Sequence, residues 1–71
     1  MTLRDLLAVV HYMDIKIMSL GENGEAIPIY EGKSNYFRMN DYEAKLEVLW
    51  IAPDRYVSGG LFVMVEWYTL L

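Results

Sequence analysis

Two stretches of this chain are apolar on both faces of any strand they could form, and no other feature narrows the fold as far. In residues 45–52, Leu46, Val48 and Trp50 fall on one side of a strand, with Glu47, Leu49 and Ile51 on the other. Residues 61–67 repeat the pattern: Leu61, Val63, Val65 and Trp67 share one face, while Phe62, Met64 and, just beyond, Tyr68 dominate the other. Glu66 is the one polar interruption. A sheet holding such strands needs cover on both sides. The chain has 71 residues, which suits one domain over 1–71 with one core. A domain of this length buries only about 60% of the surface its unfolded chain exposes. Small domains are usually reinforced by disulfides, a metal or oligomerisation. Cysteine is absent, so disulfides and thiolate metal sites are both excluded. With 55% hydrophobic residues, more apolar surface is present than so small a core can hide, and part of it is expected in a contact with another chain.

The remaining elements follow from local signals. Thr2 with Asp5 three residues on reads as a capping box, and Leu3, Leu6, Leu7 and Val10 recur at helical spacing, which predicts a short helix over residues 2–10. From Tyr12 the period becomes two: Met13, Ile15 and Ile17 alternate with Tyr12, Asp14, Lys16 and Met18, as in a half-buried strand. Gly21-Glu22-Asn23-Gly24 is a hairpin turn by its residue types. The returning strand, Ala26 to Tyr30, contains Pro28, which lacks a ladder donor and so assigns the strand to a sheet edge. Ser34 or Asn35 can cap a helical turn over Tyr36 to Met39, and Asn40 or Asp41 a second through Ala44. Pro53-Asp54 and Ser58-Gly59-Gly60 bracket the loop before the last strand. The expected fold is therefore α+β: an N-terminal helix on a four-stranded, mainly antiparallel meander sheet, with short helical turns between the second and third strands.

In element order and in three short motifs the chain resembles a group of small uncharacterised proteins from gut-dwelling Gram-positive bacteria and their phages or mobile elements. The motifs are Thr2-Leu3-Arg4-Asp5-Leu6-Leu7, Tyr30-Glu31-Gly32-Lys33 and Asp41-Tyr42-Glu43. The resemblance implies the same α+β organisation and brings no activity with it.

Candidate chemistry is sparse. The six basic residues stand singly in a chain of net charge −4, which argues against nucleic acid and against an anionic membrane surface. No apolar run reaches the length of a spanning helix, and neither a signal peptide nor its cleavage site is recognisable, so cytoplasmic residence is expected. His11 is the single histidine. A hydrolytic triad would need Ser19, Ser34 or Ser58 beside it, and none lies in a nucleophile-elbow sequence. A polar residue closing the first helix is the simpler reading of His11. Its spacing to Asp14 matches no standard metal pair, and Asp41, Glu43 and Glu47 lack the oxygen-rich, glycine-containing loop that calcium requires. Gly59-Gly60 lacks the lysine of a phosphate loop. The chain is read as a non-enzyme without cofactor or metal.

Two readings of the second sheet face remain. Residues 33–44, with Tyr36, Phe37, Met39 and Tyr42, could fold across it, or Leu49, Ile51, Phe62, Met64 and Tyr68 could form an interface for a second copy or another protein. If the last strand were also an edge, a neighbouring chain could extend the sheet there. A protein-interaction or accessory module, self-associating through that face or edge, is the leading expectation. An inhibitor or mimic presenting Glu22, Glu25, Asp41, Glu43 and Glu47, and a small-ligand binder with a pocket built on Trp50, Trp67 and tyrosines, are the alternatives.

Overall fold

A computed structural model describes residues 1–66. The capping box forms in both directions: the Asp5 N–H donates to Thr2 Oγ1 (3.2 Å) and the Thr2 N–H to Asp5 Oδ2 (3.1 Å). It opens helix α1, Leu3–Val9, whose Leu3 and Leu6 are buried while Leu7 and Val10 flank the same core. The chain leaves α1 through Tyr12 at φ 49°, a backbone conformation that disfavours a side chain. The Tyr12 ring lies 5.3 Å beneath Lys33 Nζ and meets Tyr36 edge to face.

Strands β1 (Asp14–Leu20) and β2 (Ala26–Lys33) form the expected hairpin, with Gly24 at φ 83° in its turn. A 3₁₀ turn at Ser34–Tyr36 follows, then helix α2 (Asp41–Ala44) and a second hairpin, β3 (Val48–Pro53) and β4 (Leu61–Val65). Asn40 caps α2 through a second reciprocal box with Glu43. The turn expected over Tyr36 to Met39 falls earlier. Ser34 is buried and its hydroxyl accepts from the Met13 N–H (3.3 Å) rather than from a helix amide, and Phe37 is extended.

The sheet corrects the meander. Its order is β2-β1-β4-β3, and the two hairpins meet through a parallel β1–β4 pair, so the sheet is mixed. Burial explains the choice. Ile15, Ile17, Val63 and Val65 are the most deeply buried apolar strand residues, and central positions shield them from both sides, whereas a meander would leave β4 at an edge. The edges are β2, as Pro28 foretold, and β3. Each carries a bulge: Ile29 has no partner between Tyr30↔Ile17 and Pro28↔Met18, and Leu49 none between Val48↔Val65 and Trp50↔Met64.

One face of the sheet carries the core of Leu3, Leu6, Ile15, Ile17, Leu46, Val63 and Val65. Burying each of these aliphatic side chains contributes about 1.5–3 kcal/mol before chain entropy is counted. The crossover from β2 to β3 lies on this same side, since Phe37 stacks on Tyr30 (centroids 4.6 Å apart) and Met39 packs against the core. Residues 33–44 therefore line up beside α1 and do not cross the second face.

Candidate functional site

The second face is floored by residues that pair across β1, β4 and β3: Lys16 beside Phe62, Met18 beside Met64, Ala52 opposite Phe62 and Trp50 opposite Met64. None of the described helices packs on it. Trp50, paired with Met64 on β4, reaches its diagonal neighbour Phe62 and stacks on it, with ring centroids 5.2 Å apart and 19° between planes. This stacking leaves a cleft of about 320 Å³ bounded by Lys16, Trp50, Ala52, Phe62 and the start of the β3–β4 loop, Pro53 to Tyr56. Asp54 braces that loop. Its Oδ1 accepts the Tyr56 N–H (2.9 Å) and its own N–H donates to the Gly60 carbonyl (3.0 Å).

The outer edge of β3 is the other open feature. Its beginning is occupied: the Val48 N–H donates to the Met1 carbonyl (2.9 Å), the Leu3 N–H donates to the Leu46 carbonyl (2.8 Å), and Thr2 bridges Glu47. Beyond that point the strand reads Leu49, Trp50, Ile51, Ala52, Pro53, without a charge, and the first three are 49%, 49% and 41% exposed. The Asp54–Gly60 hydrogen bond fixes the phase of the ladder. In an antiparallel pair, hydrogen-bonded positions alternate, so Ala52 turns its main chain toward β4 and Ile51 turns its N–H and C=O outward.

The five expected interface residues separate. Leu49 and Ile51 lie on the exposed edge strand, but the bulge at Leu49 shifts the phase of β3, so that Ile51 pairs with Val63 and shares the helix-covered face. Trp50 takes the place beside Phe62 that the alternating pattern assigned to its neighbours. Phe62 is half-buried beneath Trp50, and Met64 is only 8% exposed. Tyr68, like the Trp67 assigned to an aromatic pocket, lies outside the described residues. The last strand is central and offers no edge. Sequence reasoning did not bring Lys16, Ala52, Arg55 and Tyr56 together, because they come from β1, β3 and a loop, and no local pattern links them.

Several of the other candidates have structural employment. Ser34 is committed to Met13, and Ser19, fully buried, donates to the Glu66 carbonyl (2.9 Å). His11 is exposed, beside a groove shared with Arg4, Ser34 and Asn35. Of the five acidic residues considered for mimicry, Glu25 accepts from the Asn23 N–H, Glu43 closes the α2 box, and Glu47 meets the Met1 ammonium at 3.3 Å. Asp5 is held below its ordinary value, first by the Thr2 backbone N–H and then by the Thr2 hydroxyl, which is the signature of a helix cap. Among the described residues no group of three or more His, Asp or Glu could hold a metal ion, and no helix is long and apolar enough to cross a membrane. No family model, curated protein or solved structure matches the chain.

Proposed function

We propose that this chain is a non-catalytic contact module that associates with a second copy of itself along the outer edge of β3. The observation that carries the reading is the run Leu49-Trp50-Ile51, exposed and uncharged on an edge strand whose central residue turns its hydrogen-bonding groups outward. Unpaired apolar edges are templates for strand addition. Antiparallel pairing about Ile51 is self-complementary, because each Ile51 N–H meets the other copy's Ile51 C=O, as a two-fold interface requires. In that register Leu49 stands opposite Pro53, so the position without a donor faces the bulged residue. Pro53 and the Met1–Thr2 segment limit the ladder to a few residues, and Trp50 supplies the large side chain that such a short contact needs.

Sedimentation equilibrium from low to high micromolar concentration tests this. A dimer that Ile51→Lys dissociates, with unchanged far-ultraviolet circular dichroism, is the expected result. A monomer throughout that range contradicts it.

A further inference from the structure

We infer that the cleft on the second face binds a small planar aromatic carboxylate. The cleft opens on the sheet face and not along the strand, and it shares Trp50 with the proposed self-association edge. Its floor is aromatic, with Trp50 half exposed over Phe62 and Tyr56 at the rim. A flat ring can stack there at little conformational cost. The volume of about 320 Å³ matches one or two fused rings and sits at the small end of ligand sites.

Charge selects among flat rings. In a chain of net charge −4, this cleft is bordered by two cations, Lys16 and Arg55, against the single carboxylate of Asp54. Asp54 already accepts the Tyr56 N–H. Lys16 is held only by a loose ion pair with Glu31 at 3.8 Å, and Arg55 makes no ion pair among the described residues. With Lys16 facing Glu31, the cation that is left without an ion pair among the described residues is Arg55, whose guanidinium fork suits a carboxylate. A phosphate dianion would meet Asp54 with a second negative charge. A neutral ring would leave both cations without a new partner. The gap itself exists because residue 52 is alanine: a longer side chain opposite Phe62 would fill the space beside the Trp50–Phe62 stack.

Titration with 2-naphthoate and its neutral counterpart 2-naphthamide, followed through backbone amide shifts in nuclear magnetic resonance, tests the assignment. Saturable shifts at residues 16, 50–56 and 62 are expected, with naphthoate bound at least about tenfold more tightly than the amide, the discrimination of one charge-assisted contact. Arg55→Gln, on an exposed loop, should shrink that preference while leaving ring binding in place. Ala52→Leu should remove both, and its amide spectrum reports whether the fold persists. Equal affinity for the two probes, shifts centred elsewhere, or undiminished binding by a folded Ala52→Leu variant would overturn the inference. Dimer dissociation is read separately by sedimentation, so loss of one result leaves the other standing.

Discussion

The two edges of this sheet use the same devices and end up with different surfaces. Both β2 and β3 contain one proline and one bulge. In β2, Pro28 sits inside the strand and the bulged Ile29 follows it. The strand then carries Glu31 and Lys33, paired with Lys16 (3.8 Å) and Asp14 (3.3 Å) of β1. Neither pair is worth much in stability at such exposure. Their effect lies in what an incoming strand would have to desolvate. In β3, proline comes last, and between the bulge and Pro53 there is no charge at all. A bulge and a proline do not by themselves close an edge; their positions, and the charges between them, decide whether another strand can add.

The contrast can be broken most severely at β3. Replacing Trp50 and Ile51 together by lysine is expected to weaken dimerisation at least about 100-fold, since both an aromatic anchor and the centre of the ladder are lost. Glu31→Lys on β2, an equally large change of charge, should leave the dissociation constant within about threefold, as surface charges of this kind do. Sedimentation equilibrium reads both. The reverse experiment removes the guard from the closed edge: Pro28→Val with Glu31→Val should create a second associating strand, seen by light scattering as species larger than a dimer.

Smaller effects test what anchors each edge. Ser34 ties the end of β2 to Met13 by two hydrogen bonds, Ser34 N–H to Met13 O (2.9 Å) and Met13 N–H to Ser34 Oγ (3.3 Å). Ser34→Ala leaves the Met13 N–H without its acceptor and should cost about 1–3 kcal/mol in urea unfolding, with dimerisation unchanged. Thr2→Ala removes the α1 cap beside the segment that shields the start of β3 and should cost about 1 kcal/mol by the same measurement. The partner of that cap adds a pH dependence. Asp5 has a folded value below its unfolded one near 3.8, so its contribution is complete above that value and disappears as pH falls through the folded one. Asp5→Asn should therefore differ from the parent chain at neutral pH and converge with it once pH falls below the folded value.

Much of the local structure was legible in the sequence. Thr2 with Asp5 and Asn40 with Glu43 are reciprocal caps because the residues that satisfy the first helix amides lie within one turn of them. Pro28 marked an edge because a missing donor is a property of one residue. The strand order was not legible. Pairing β1 with β4 joins residues more than forty positions apart, and short turns alone favour neighbours. Of the stretch 61–67 that is apolar on both faces, the described strand, β4 over Leu61–Val65, lies between β1 and β3 and not at an edge. The bulge at Leu49 was equally hidden, since strict alternation cannot register an extra residue, and it exchanged the faces of Trp50 and Ile51. The cleft depends on all of these together, so only its aromatic residues could be suspected in advance.

The central claim, that the outer edge of β3 joins two copies, is tested most directly at one amide. Hydrogen exchange at the Ile51 N–H should slow as protein concentration rises through the dimerisation range, while the shielded Val48 N–H changes little. Exchange at Ile51 that is independent of concentration, in a sample shown to be dimeric, would contradict it.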